Sequence, residues 1–221
     1  MSTLAEDVLQ LVFDDKTGRS VINQTYLDSV IAGALLLDLI RLGRVTPGQP
    51  EGKDGKDRAA IVTDRTPTGD PLLDAALATV AEKPRTLRKA VEALVKGNRK
   101  AVIERLVERG ILRHDRSRVL GIFKLTSFPA ADTENEAALR RALVATLHEG
   151  AAPDSRTASL IALLHSVKSL PKVVGGDKAQ LKARADAIVA GNPADDAVRE
   201  AVKQVWTAVE MNAAAVAAAA S

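Results

Sequence analysis

The residues of this chain best suited to chemistry are the lysines and arginines between Lys83 and Lys124. That segment holds thirteen Lys and Arg against four Asp and Glu, a local net charge of +9 in a chain whose total is +3. Cations segregated in this way are typical of a surface that meets a polyanion. Because lysine and arginine also pair with neighbouring glutamates, the same segment fits a solvated helical face about equally well.

Lys96 and Arg99 form the most specific pair in this segment. They flank Gly97-Asn98, where one predicted helix (residues 86–96) ends and the next (residues 99–109) begins. The free N–H groups and the positive dipole end of the second helix lie beside Arg99, so this turn predicts a small anion site. Three further basic residues are expected to give weaker support: Arg88, Lys89 and Arg113.

Residue patterns typical of catalysis or metal binding do not occur in the sequence. The histidines, His114, His148 and His165, lie far apart without ligand-like spacing, and there is no cysteine. No nucleophile elbow, Walker loop or dinucleotide fingerprint is found. We therefore expect no enzyme, no metal site and no cofactor, and the lack of cysteine fits a reducing compartment.

The elements that position these cations are predicted to be mostly helices. Aromatic residues make up only 2% of the chain against 46% hydrophobic residues, a composition that favours helix over sheet. Residues 3–6 form a capping box, Asp70-Pro71 is a helix start, and residues 26–42 predict a buried central helix. Asp38 and Arg41, three apart on that helix, are expected to pair.

Two segments are predicted not to be helical. The polar stretch over residues 46–58, rich in Gly, Pro, Lys and Asp, is predicted to be a loop. Residues 111–113 and 119–125 are predicted to be the strands of a β-hairpin with its turn at residues 114–117. The expected fold is mainly α with one β-hairpin. It forms a single domain over residues 1–212, followed by an Ala-rich tail over residues 213–221.

No stretch of the sequence is long enough to cross a membrane. The longest runs without Asp, Glu, Lys or Arg have eleven residues, whereas a spanning helix needs about 20 apolar residues. Glu6 and Asp7 stand where an export signal would need a basic segment followed by an apolar run. We expect a cytoplasmic protein that associates peripherally with the inner face of the membrane.

Several segments of the chain resemble the Golgi phosphoprotein 3 family, including its yeast and bacterial relatives. The segments that carry the resemblance are residues 66–77, the most specific of them, together with residues 4–9, 33–39, 42–45, 105–112 and 156–165 and the late Trp206. The likeness covers nearly the whole chain. The sequence begins at the family's first helix, without the basic extension of eukaryotic members, which indicates a bacterial member with no Golgi role.

The resemblance implies a helical bundle with surrounding amphipathic helices and one protruding β-hairpin that is used for self-association. The hairpin residues expected at that contact are Leu120, Ile122 and Phe123. It also implies that a shallow basic pocket binds phosphatidylinositol 4-phosphate, and two basic positions of that pocket fall on Lys96 and Arg99. The pocket's tryptophan and arginine positions fall near Asn23 and Ala32, so this chain lacks those two side chains.

The predicted function is therefore that of a peripheral membrane protein, expected to form homo-oligomers, that binds phosphatidylinositol 4-phosphate or a similar anionic lipid headgroup. One alternative is a scaffold that binds another protein without lipid specificity. A second is winged-helix-like DNA binding, since two helices followed by a hairpin also fit that motif. The helix over residues 99–109 offers few amide or hydroxyl side chains that could read bases, so nucleic acid is the less favoured partner.

Overall fold

The computed structural model describes residues 2–14, 17–51, 57–113, 115–119, 123–129, 131, 133–191 and 196–219. Its helices are α1 (Leu4–Val12), α2 (Gln24–Arg41), α3 (Pro71–Ala81), α4 (Leu87–Val95), α5 (Asn98–Glu108), α6 (Glu134–Leu147), α7 (Ser155–Ser166), α8 (Leu170–Val174), α9 (Lys178–Gly191) and α10 (Asp196–Ala219). Its strands are β1 (Val45–Glu51), β2 (Asp57–Val62), β3 (Asp115–Val119) and β4 (Phe123–Ser127). The prediction of a mainly α fold is confirmed.

The helix α2 lies at the centre of the fold. Its residues 30–37 are buried on every side, because α1, α3, α4, α5, α7 and α10 all pack against it. Gly33 allows the closest of these contacts, since a Cβ atom there would lie 2.3 Å from Cγ2 of Val209 in α10. A buried polar contact joins the same two helices, in which the Ser29 hydroxyl donates to Oδ1 of Asn212 at 3.1 Å.

The helix α1 is buried along its whole length, although it carries two carboxylates. Thr3 and Glu6 form the predicted capping box, in which the Thr3 N–H donates to Oε2 of Glu6 at 2.7 Å. The other oxygen, Oε1 of Glu6, accepts from Nη1 of Arg109 at 2.6 Å, and Nε of Arg156 donates to Oδ2 of Asp7 at 2.7 Å. Because each buried carboxylate has an arginine partner, the helix can be enclosed without an uncompensated charge.

Asp38 connects the last turns of α2 to the start of α1. Its Oδ2 accepts from the Leu4 N–H at 2.7 Å, where a carboxylate also interacts favourably with the positive end of the helix. Its Oδ1 lies 3.5 Å from Nη1 of Arg41, so the predicted pairing of these two residues is confirmed. Burial raises the pKa of Asp38 to about 6, although the hydrogen bond from Leu4 and the charge of Arg41 act in the opposite direction.

The strands β1 and β2 form an antiparallel hairpin that the sequence did not predict. The prediction of a loop over residues 46–58 is therefore wrong for the described part of that segment. Val45 pairs with Val62 and Glu51 with Asp57, and the register shifts between Pro47 and Pro50. Proline has no N–H to donate to a ladder, so a strand that contains two prolines is tolerated only with such an irregularity, at a sheet edge.

The hairpin predicted after residue 110 is confirmed, but its register differs. Asp115 pairs with Ser127 and Val119 with Phe123, so residues 115–117 belong to β3 and not to the predicted turn. Residues 111–113 precede the hairpin. The error arose because the polar residues 115–117 have turn-forming types, while strand pairing depends on the partner strand as much as on residue type.

The helices α3 and α10 both pack against α2 and α4. Asp70 caps α3 by accepting from the N–H groups of Leu72 and Leu73, and Pro71 occupies the first turn, as predicted. The helix α10 packs on α2, α4 and α7. It continues to Ala219 and buries Ala213, so it includes most of the residues that the sequence marked as an Ala-rich tail.

Candidate anion-binding cleft

Arg99 joins the beginnings of two helices that are distant in the sequence. It lies in the first turn of α5, and its Nη1 donates to the main-chain oxygen of Gln24, the first residue of α2, at 3.4 Å. Its Nε lies 3.2 Å from Oδ1 of Asp28, one turn further along α2. The guanidinium therefore sits between the N-terminal ends of both helices, where the helix dipoles favour negative charge.

A cleft of about 410 Å³ opens beside Arg99. Its polar lining comes from Arg19, Ser20 and Gln24, in and after the connection between α1 and α2. Its apolar walls are Phe13, Leu27, Ile103 and Phe128. A cleft of this volume, with apolar walls and a few convergent polar groups, has the size and chemistry of a small-ligand site.

Gly18 and Phe128 hold the polar wall of this cleft in place. The Phe128 N–H donates to the carbonyl oxygen of Gly18 at 2.9 Å, and the rings of Phe13 and Phe128 stack with their centroids 5.9 Å apart. Gly18 has φ +61°, and a Cβ atom there would lie 2.4 Å from the Phe128 main-chain nitrogen. Only glycine fits this approach, which places Arg19 and Ser20 at the cleft.

Asp28 is the internal counter-ion of the cleft. Desolvation by burial raises its pKa, and the charge of Arg99 acts against that rise. About a third of the Arg99 side chain, 31%, remains exposed, so an anion from solvent can reach it. Arg19 is exposed and forms no ion pair with the described residues. Two arginines against one carboxylate leave the cleft with a net positive charge.

The structure separates the five basic residues that the sequence grouped together. Arg99 lines the cleft, whereas Lys96, exposed at the end of α4, is not among the residues described as lining it. Arg88 forms ion pairs with Asp57 and with Glu92. Arg113 is exposed, and its main-chain N–H donates to the Pro129 oxygen at 2.9 Å. Among these five described residues, only Arg99 lines this cleft.

Lys89 belongs to a second, more polar cleft of about 540 Å³. This cleft lies between β2 and the connection from α3 to α4, and its other cations are Arg65, Lys83 and Arg85. Arg85 pairs with Glu82 at 3.4 Å. None of these residues lines the cleft at Arg99.

Much of the positive charge between Lys83 and Lys124 is neutralised inside the fold. Six of its basic residues form ion pairs in the described structure: Arg85, Arg88, Arg99, Lys100, Arg105 and Arg109. Five of the partners come from outside the segment: Glu6, Asp28, Asp57, Asp70 and Glu82. Arg105 and Arg109 both pair with the buried Glu6, and 23% and 41% of their side chains remain exposed.

The hairpin residues predicted for self-association lie mostly beyond the described structure. Leu120 and Ile122 fall outside the described residues. Phe123 begins β4 and pairs with Val119. Self-association through these three residues therefore stays a prediction.

Sequence reasoning missed the cleft residues Arg19, Ser20 and Gln24. The available signal was Thr17-Gly18, a turn immediately before the basic residue Arg19. Nothing in the neighbouring sequence connects that turn to Arg99, because Arg99 follows its contact residue Gln24 by 75 residues. The resemblance places the pocket's missing tryptophan and arginine near Asn23 and Ala32, and these two positions differ in their exposure. Asn23 is exposed just before α2, and Ala32 is fully buried in the core.

The fold and the cleft together define a mainly α protein with a basic site where two helices begin. The family model for Golgi phosphoprotein 3 (GPP34) matches residues 4–205. The chain therefore belongs to the Golgi phosphoprotein 3 family. Among the described residues, no helix is long and apolar enough to cross a membrane.

One curated relative is vacuolar protein sorting-associated protein 74 of Eremothecium gossypii. It is 25% identical to this chain over 162 residues, a match that covers 66% of this chain and 49% of the relative. The chain thus spans about half the length of the curated relative that it matches.

Proposed function

We propose that this protein binds a phosphorylated lipid headgroup, with phosphatidylinositol 4-phosphate as the first candidate, in the cleft at Arg99. The observation that carries the proposal is the position of Arg99 between the starts of α2 and α5, beside Arg19, Ser20 and Gln24. Two arginines, a hydroxyl and two helix N-termini suit a phosphate monoester. Membership of the Golgi phosphoprotein 3 family supports the same choice of ligand.

A specific headgroup contact is needed because the unpaired surface cations alone would bind an anionic bilayer only weakly. Four described residues of the basic segment, Lys83, Lys89, Lys96 and Arg113, form no ion pair with other described residues. At about 1 kcal/mol for each cation near an anionic bilayer, they supply about 4 kcal/mol, which corresponds to roughly millimolar binding. A specific contact at Arg99, or several copies acting together, raises that affinity.

The rest of the proposal follows from the family and the sequence. The protein acts by binding and not by catalysis, as a peripheral protein on the cytoplasmic face of a membrane. It self-associates through the hairpin residues Leu120, Ile122 and Phe123, and membership of the bacterial branch stays a prediction. A scaffold that binds another protein without lipid specificity is the alternative that the following experiment separates.

Liposome co-sedimentation at physiological salt tests the proposal. Neutral, phosphatidylserine-rich and phosphatidylinositol 4-phosphate vesicles are compared for the wild type, Arg99→Ala, Arg19→Ala and Lys100→Ala. Lys100 is the matched control, since it adjoins Arg99 but is 81% exposed and pairs only with Glu104 among the described residues. We expect Arg99→Ala to weaken phosphoinositide binding about tenfold and Lys100→Ala to change it less than about twofold.

Three outcomes contradict the proposal. Equal binding to both anionic vesicles, with equal losses in Arg99→Ala and Lys100→Ala, would mean a charged face without a headgroup site. Binding to no vesicle would exclude the lipid function and favour the protein scaffold. Unchanged binding in Arg99→Ala and Arg19→Ala would place the headgroup elsewhere on the surface.

A further inference from the structure

A separate cleft lies among α7, α8, α9 and α10, and it shares no lining residue with the cleft at Arg99. Its volume is about 290 Å³, which suits a ligand with few non-hydrogen atoms. Leu170, Pro171 and Leu181 supply apolar walls. Lysines from two elements, Lys168 and Lys178, supply positive charge.

A pair of stacked rings forms a flat wall of this cleft. The rings of His165 and Trp206 are nearly parallel, at 9°, with centroids 6.0 Å apart. Nε2 of His165 lies 2.7 Å from Oδ1 of Asp186, which fixes the imidazole. Nε1 of Trp206 is buried and has no hydrogen-bond partner among the described residues.

Lys168 has an unusual backbone conformation at the edge of the cleft. Its φ is +55°, and no other non-glycine residue in the described ranges has a positive φ. It follows the last turn of α7, and its N–H closes that helix by donating to the His165 oxygen at 2.9 Å. Glycine is the usual residue at such a helix end. Backbone strain of this kind clusters at ligand-binding positions, so Lys168 is a candidate for a functional side chain.

The charged residues of this cleft favour a ligand with a single negative charge. Both carboxylate oxygens of Asp186 are engaged, one by His165 and the other by Nζ of Lys182 at 2.5 Å. Lys168 and Lys178 form no ion pair with the described residues, and neither does Glu210 on the α10 side. Two free cations beside one free carboxylate attract a monoanion, while Glu210 and Asp186 disfavour a multiply charged phosphate.

We propose that this cleft binds a small monocarboxylate with an aromatic body, of the arylalkanoate class. The carboxylate lies at Lys168 and Lys178, and the aromatic ring lies along the wall formed by His165 and Trp206. Offset stacking on that wall and burial against Leu170 and Leu181 favour a planar apolar body over an extended polar one. This site is independent of the lipid headgroup proposed for the cleft at Arg99.

Trp206 reports on this site directly, because it is the only tryptophan in the chain. Its fluorescence is followed while the full chain is titrated with 3-phenylpropionate at constant ionic strength, and with 3-phenylpropionamide as the uncharged match. Calorimetry with the same two compounds gives a second readout. We expect a saturable response to the carboxylate and a response at least about tenfold weaker to the amide, which cannot pair with the lysines.

Matched variants separate the site from general charge and from folding. Lys168→Gly suits the backbone at that position, so it should fold while binding the carboxylate about fivefold more weakly or worse. Lys172→Ala removes an exposed cation of α8 that does not line the cleft, and should bind within about twofold of the wild type. Arg99→Ala should bind as the wild type does.

The proposal is overturned by any of three results. These are equal affinity for the carboxylate and the amide, equal affinity in Lys168→Gly and Lys172→Ala, or no saturable response in either measurement. Arg99→Ala is a control in this experiment and the test variant in the vesicle experiment. Either proposal can therefore be contradicted without affecting the other.

Discussion

The guanidinium of Arg105 and the carboxylate of Asp70 face each other side by side, with Nη1 2.5 Å from Oδ1 and Nη2 2.7 Å from Oδ2. Asp70 is also the N-cap of α3, and Nε of Arg105 lies 3.3 Å from the buried Oε1 of Glu6. One arginine of α5 therefore ties together α1 and α3. Partial burial alone would raise the pKa of Asp70, but the hydrogen bonds from Arg105 and the α3 N–H groups hold it below its usual value.

Substituting Asp70 tests this junction. Asp70→Ala removes both the cap of α3 and the paired acceptor of Arg105, so we expect the free energy of unfolding to fall by about 2–3 kcal/mol. Glu92→Ala, which removes the exposed partner of Arg88, should cost less than about 0.5 kcal/mol. Urea unfolding at pH 7 compares the two variants. Similar losses in both would mean that the Asp70–Arg105 pair adds nothing beyond a surface ion pair.

Asp38 should make stability depend on pH. Its pKa is raised from 3.8 to about 6 in the folded protein. The folded state therefore keeps a proton that the unfolded state loses, so the contribution of Asp38 is fully present below about pH 4 and is lost as the pH rises through about 6. Asp38→Asn keeps an oxygen that can accept from the Leu4 N–H but does not titrate.

The expected difference between wild type and Asp38→Asn follows from that pKa shift. Relative to the variant, the wild type should lose up to about 3 kcal/mol of unfolding free energy between pH 4 and pH 7. Urea unfolding of both proteins at several pH values measures the difference. A gap between them that stays constant with pH would contradict a raised pKa.

Asp28 is expected to weaken headgroup binding, because it occupies Arg99 at 3.2 Å. Asp28→Asn should strengthen binding to phosphatidylinositol 4-phosphate vesicles about twofold to fivefold. Glu104→Gln is the matched control: it makes the same change in net charge and frees the neighbouring Lys100. If the control strengthens binding as much as Asp28→Asn does, the gain comes from total charge and not from Arg99.

Lys168 provides a test of backbone strain that needs no ligand. Lys168→Gly relieves an L side chain at φ +55°, so we expect it to stabilise the fold by about 0.5 kcal/mol despite the greater freedom of the unfolded chain. Lys172→Gly, within α8, should destabilise by about 1 kcal/mol instead. Thermal unfolding measures both, and a loss of stability in Lys168→Gly would show that the lysine side chain contributes to packing.

Local signals in the sequence predicted much of the fold. The Thr3–Glu6 capping box, the Asp70-Pro71 helix start and the Asp38–Arg41 pair depend on residues close in sequence, and all three occur as predicted. The strand β1 could not be predicted in this way. Its prolines and Gly48 indicate a turn, and only pairing with β2 makes the segment extended.

The candidate site was predictable only in part. Arg99 was singled out because the sequence places it at the start of a helix in a basic segment, and it lies in the first turn of α5. The segment's net charge of +9 was misleading as a guide to its surface, because Glu6, Asp28 and Asp70 neutralise arginines that lie far along the chain. Such pairings depend on tertiary packing, so no pattern among neighbouring residues predicts them.

The enclosure of α1 has a consequence for the order in which the chain assembles. Glu6 pairs with Arg105 and with Arg109, which follows it by 103 residues, and the arginine that pairs with Asp7 follows that residue by 149 residues. During synthesis, α1 therefore leaves the ribosome long before the groups that neutralise its carboxylates exist. We infer that α1, although it is made before α5 and α7, is not stably enclosed until α7 has emerged.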